Sequence, residues 1–70
     1  MDNARFEIGQ EVNSIFWESG PAITCGKDGV EKIVVSFESG QMAGVHWFNV
    51  WSGDKIISRH NGAFVHGVYL

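Results

Sequence analysis

The residues best equipped for chemistry in this chain lie close together. The stretch GVHWFNVWSGDKIISRHNGAFVHG, residues 44–67, holds His46, His60 and His66, with two of the three tryptophans and two phenylalanines. Histidines raise acid–base catalysis and metal binding, because imidazole titrates near neutrality and ligates zinc through one nitrogen. Their spacing favours neither. On an alternating strand register His46 and His66 share a face but stand about four residues apart, about 13 Å along the strands, with two strand spacings of about 4.8 Å between them. A metal with bonds of about 2 Å cannot be shared across that span. His60 falls at a turn opposite Trp47, an exposed position. Cys25, in ITCGKDG, is the only thiol and carries no nucleophile signature. Glu7 and Glu11 share one side only of an unbroken strand, and Gly9 makes them ordinary solvated carboxylates. GKDG lacks the spacing and the following helix of a phosphate loop. The sequence therefore predicts no enzyme, no metal site and no cofactor.

These side chains must be carried by strands. RFEIGQEVNSIFW alternates around a Gly-Gln break, VEKIVVSF is rich in β-branched residues, and MAGVHWFNVW, KIIS and AFVHGVYL complete the set. Between them lie ESGPA, GKDG, ESGQ, WSGDK and HNGA, each with glycine beside Ser, Asp or Asn. Asn61-Gly62 reads as a type I′ hairpin turn, with Ser39-Gly40 and Gly53-Asp54 as further hairpins. Those turns set a register. Phe37 is expected opposite Met42 and Ile33 opposite His46. Trp51 is then expected opposite Ile56, Phe48 opposite Arg59, and Arg59 opposite Phe64.

Alternation sorts the strands into two faces. Ile33, Val35, Phe37, Met42, Phe48, Val50, Ile57, Phe64, Val68 and Leu70 form the expected core. The opposite face gathers Lys32, Val34, Ser36, Ala43, Val45, Trp47, Asn49, Trp51, Ile56, Ser58, His60, Val65 and Tyr69. Two readings of that second face stand. In one it is a contact surface anchored by Trp47, Trp51 and Tyr69, with Asn49 and His60 beside them, since Trp and Tyr dominate interface hot spots. Trp17, in IFWESG, then adds to the surface or caps one end. In the other, curvature turns some of these rings inward. Arg59 sits awkwardly among Phe48 and Phe64, and a one-residue bulge near Gly53 would repair this by swapping faces.

Size and charge narrow the function. Seventy residues, expected to form one domain over 1–70, bury only about 60% of their unfolded surface. A single cysteine permits no internal disulfide, so good packing or a homodimer must supply the stability. The formal charge of −3 and pI of about 5.4, with lysines and arginines scattered singly, disfavour a dedicated nucleic-acid binder. No stretch has the length of a membrane span, and the expected location is cytoplasmic.

Short strands joined by tight turns read as an all-β, five- to six-stranded antiparallel meander closing into a small barrel. FEIGQEV, followed by a loop and CGKDGVEKIVVSFESG, resembles the opening of SH3-like barrels of the KOW or Tudor type over residues 6–40. There a Gly-x-x-Val strand leads through a loop into a Gly-x-Val/Ile strand and a glycine hairpin. The resemblance implies an architecture of five strands and carries no function, because such barrels serve many unrelated tasks. In size and acidity the chain is also similar to small phage or plasmid proteins that inhibit host defence complexes, anti-CRISPR proteins among them. The leading expectation is a non-enzymatic protein-binding module, an adaptor or inhibitor acting on a larger protein. A single-stranded nucleic-acid-binding barrel is the first rival, with Trp47, Trp51 and Tyr69 stacking on bases and Lys32, Lys55 and Arg59 holding phosphates. A homo-oligomer with a ligand or active site between protomers is the second.

Overall fold

The computed structural model describes residues 6–38 and 45–70. Seven short strands occupy them: β1 (Glu11–Val12), β2 (Ser14–Trp17), β3 (Ile23–Thr24), β4 (Lys32–Glu38), β5 (Val45–Ser52), β6 (Lys55–Asn61) and β7 (Val65–Tyr69). A one-turn 3₁₀ helix, Gly62–Phe64, precedes β7. The architecture is all-β, in two antiparallel sheets ordered β1-β4-β5-β6 and β3-β2-β7. No helix among the described residues is long and apolar enough to cross a membrane.

One bent strand serves both sheets. β1 and β2 are separated only by Asn13, whose N–H donates to Tyr69 O (2.7 Å) and whose carbonyl accepts from Cys25 N (2.9 Å). The corner therefore loses no backbone partner, which is what lets a polar main chain turn inside so small a body. On one side β1 joins β4 through Val12 opposite Ile33. On the other, β2 joins β7 through Ile15 opposite Val68.

The core lies between the sheets and consists of Val12, Ile15, Val30, Ile33, Val35, Phe48 and Val50. Each such side chain contributes about 1.5–3 kcal/mol on full burial. Ile33 pairs with Val50 and Val35 with Phe48, a register offset by four from a hairpin turning at Ser39-Gly40. That turn and Met42 lie outside the described residues. The offset is an even number, so the inward residues stay inward and the face assignment for β4 and β5 survives the slip.

Beyond Trp51 the expected register fails in two places. Ser52 pairs with Lys55 and Trp51 with Ile56 around the Gly53-Asp54 turn, as the sequence implies. Positive φ falls on Gly53 alone, the requirement of a type II′ turn. The next pair is Val50 with Ser58, so Ile57 is an extra residue in β6. This bulge moves Arg59 opposite Asn49 on the outer face and brings His60 opposite Phe48 on the inner one. It relieves the conflict over Arg59, and it overturns the placing of His60 and Ser58 on the Trp47 face.

The last expected hairpin is absent. Asn61 caps the 3₁₀ turn, its Oδ1 accepting from Ala63 N at 2.8 Å, and β7 crosses to pair with β2 instead of β6. Gly62 is needed there for closeness: a Cβ would lie 2.6 Å from the His46 carbonyl oxygen. Four expected core residues lie outside the core. Ile57 is 47% exposed at the bulge, Phe64 70% in the turn and Leu70 71% beyond β7, and Phe37 is also exposed at the end of its strand.

Candidate functional site

The outer face of the four-stranded sheet is built by β4, β5 and β6. Alternation along VHWFNVWS sends Phe48 and Val50 inward, so Trp47, Asn49 and Trp51 project outward from β5. Their cross-strand partners on β4 are Ser36, Val34 and Lys32, and on β6 Asn61, Arg59 and Ile56. Both tryptophans are half-buried and each carries a cation. Lys32 Nζ lies 5.3 Å from the Trp51 ring centre, and the Arg59 guanidinium carbon lies 5.1 Å from that of Trp47. Arg59 Nε also donates to Asn49 Oδ1 at 3.1 Å, which fixes the amide between the two indoles. The lower end of β4 is anchored by Glu31, whose Oε1 accepts from Gly53 N at 2.9 Å and whose N–H donates to Trp51 O at 2.8 Å.

This face holds the unsatisfied polar atoms. Trp47 Nε1, Trp51 Nε1 and Ser36 Oγ are shielded from solvent and meet no hydrogen-bond partner among the described residues. Leaving a buried donor unpaired costs about 1–3 kcal/mol, and native structures hold few such groups. All three lie on one face, two of them across the ladder from each other.

The remaining expected contact residues are elsewhere. Tyr69 is on β7 in the other sheet, where it stacks on Phe16 with ring centres 5.7 Å apart. The Phe16 ring in turn lies against Gly67, leaving no room there for a Cβ. Trp17 ends β2, packs against the core and meets His60 ring to ring, with centres 4.4 Å apart and planes tilted by 32°, and Gly20 closes over its indole edge. His60 is thus a half-buried residue of β6 rather than an exposed turn residue, and its Nε2 is 3.2 Å from Ser58 Oγ. Burial lowers its pKa below the ordinary imidazole value. Val65 is also inward, opposite Trp17. His46 packs edge-on to Phe37 in one sheet, while His66 lies 3.8 Å from Glu18 in the other.

Of the six expected contact residues the structure brings together Trp47, Asn49 and Trp51, pairs Trp17 with His60, and sets Tyr69 apart. Sequence reasoning placed Ser36 on this face and missed Arg59. The signal for Arg59 was its intolerable position between Phe48 and Phe64. Comparison with protein-family models, with curated proteins and with solved structures finds no match to this chain.

Proposed function

We propose that this protein is a non-catalytic binding module of small SH3-like barrel type, acting as an adaptor or inhibitor on a larger protein through its Trp47–Asn49–Trp51 face. The return of the last strand to pair with the first bent strand, opposite a three-strand meander, supports the barrel reading. The observation that carries the functional reading is the cluster of orphaned polar atoms on an aromatic face. Two indole N–H donors and a hydroxyl without partners call for acceptors, and a protein partner brings them as backbone carbonyls. Trp47 and Trp51 are four residues apart on one strand, about 13 Å, so an extended segment of four residues spans both. Reaching these N–H groups requires the indoles to rotate beneath the Lys32 and Arg59 side chains that cover them.

The test is affinity capture with the intact chain, followed by cross-linking to locate the contact. Trp47→Ala and Trp51→Ala are each expected to weaken retention of the captured protein at least tenfold, with Tyr69→Ala unchanged. Retention unaffected by both tryptophan substitutions, or cross-links confined to β7, overturns the assignment. The cations seated on both tryptophans favour single-stranded nucleic acid as a second reading. Tight binding of a short oligonucleotide that falls steeply with added salt would establish it in place of the first.

A further inference from the structure

No ladder joins β6 to β7 or β2: β6 pairs with β5, and β7 with β2. Along this seam the covalent 3₁₀ turn joins the sheets, and the aromatic pair that bridges it among the described residues is Trp17 of β2 on His60 of β6. We propose that the Trp17–His60 ring contact is an acid-released clasp between the two sheets.

The surroundings of the imidazole are mostly apolar. His60 lies opposite Phe48 across the ladder, and Trp17 lies opposite Val65. The indole is held from behind by Gly20, whose backbone approaches so closely that a Cβ would sit 2.6 Å from Trp17 Nε1. Among the described residues the one polar contact of the His60 ring is with Ser58, two residues along its own strand. The titratable groups of the packed elements look elsewhere. Glu18, just past β2, and His66 of β7 face one another, His46 of β5 packs on Phe37, and Arg59 of β6 turns to the opposite face over Trp47. A proton on His60 therefore places a charge in a half-buried ring pair with no carboxylate in contact among the described residues. The low proton affinity that burial gives His60 agrees with this geometry. Relief comes from lifting β6 and the turn off Trp17, so that the imidazolium reaches water. Acid then also loosens the strand that carries Arg59 over Trp47.

The experiment is a nuclear magnetic resonance pH titration of the intact chain between pH 8 and 4.5, following the His60 ring, the Trp17 indole N–H and backbone amides, with amide exchange corrected for its intrinsic pH dependence. The expected result is a His60 midpoint below 6.5, shared by the Trp17 indole and by amides of β6 and the 3₁₀ turn, with β4 unmoved. Each unit of that displacement corresponds to a tenfold loss of protection in β6 once His60 is protonated. His60→Gln, which cannot charge, is expected to abolish the shared midpoint. Titration of His60 at or above 6.5, or a low midpoint that Trp17 and β6 do not follow, overturns the clasp. The titration of the unsubstituted chain decides the question even if His60→Gln folds poorly.

Discussion

Gly62→Ala offers the sharpest test of how the chain leaves β6. Gly62 is buried without positive φ, and the added methyl would stand 2.6 Å from the His46 carbonyl oxygen and 3.3 Å from Phe48 Cε2. The first contact is with backbone, so relief requires the 3₁₀ turn to back away from β5. Overpacking of this kind costs about 1–3 kcal/mol. Removing a glycine returns about 0.4–1 kcal/mol by restricting the unfolded chain. The net expectation is a loss of about 1–2 kcal/mol, lowering the melting temperature by roughly 5–15 °C in a domain of this size. Urea denaturation followed by circular dichroism measures it, and Gly62→Asn is the control. In a type I′ hairpin at Asn61-Gly62 the glycine would need positive φ, which asparagine tolerates better than alanine. In the observed turn the Cβ is the obstacle, so asparagine is no better than alanine. A Gly62→Asn protein near the stability of the original, with Gly62→Ala clearly weaker, would refute the reasoning and restore the hairpin.

Other outcomes follow from the same contacts. Gly67→Ala is expected to push the Phe16 ring off its platform, cost about 1–2 kcal/mol and break the Phe16–Tyr69 stack, seen as lost ring-current shifts on the tyrosine protons. Asn61→Ala removes the acceptor for Ala63 N and should cost about 0.5–1 kcal/mol in the urea midpoint, with asparagine-to-serine largely restoring it. The folded pKa of His60 lies below the unfolded value of 6.5, so unfolding takes up a proton between the two and stability rises with pH across that window. Its contribution is whole above pH 6.5 and is lost as the pH falls. The difference in denaturation midpoint between the original chain and His60→Gln should therefore change between pH 7.5 and 5, and a constant difference would count against a perturbed His60.

The strands of this protein were legible because their residues announce them, and the pairing was legible only where turns were short. KIVVSFE and VHWFNVWS place Ile33, Val35, Phe48 and Val50 on one side whatever the hairpin between them does, provided the slip is even. Gly53-Asp54 fixed the next hairpin for the same local reason. The bulge at Ile57 was signalled only indirectly, by a guanidinium that had no acceptable place. Asn61-Gly62 misled because the dipeptide that suits a primed turn also suits a capped 3₁₀ turn, where asparagine supplies an acceptor and glycine supplies closeness. Pairing of β7 with β2 is decided by burial of Val68 and Val65 against a distant strand, and no local signal encodes it. The candidate face was half legible: alternation grouped Trp47, Asn49 and Trp51, and the same bulge that hid Arg59 displaced His60.

The bend at Asn13 has a kinetic meaning. The strand that it divides is needed by both sheets, yet the two demands fall at very different sequence separations. The β4–β5–β6 meander forms from neighbours, whereas Ser14 finds Tyr69 only by closing a loop of nearly the whole chain. Loop-closure entropy must be met before that pairing gives anything back, so the meander nucleates and the β2–β7 ladder closes late. Substitutions within β5 then slow folding, while those in β7 chiefly hasten unfolding. The half of the molecule that carries Trp47 and Trp51 is assembled first, and the half that carries Trp17 sets how long it lasts.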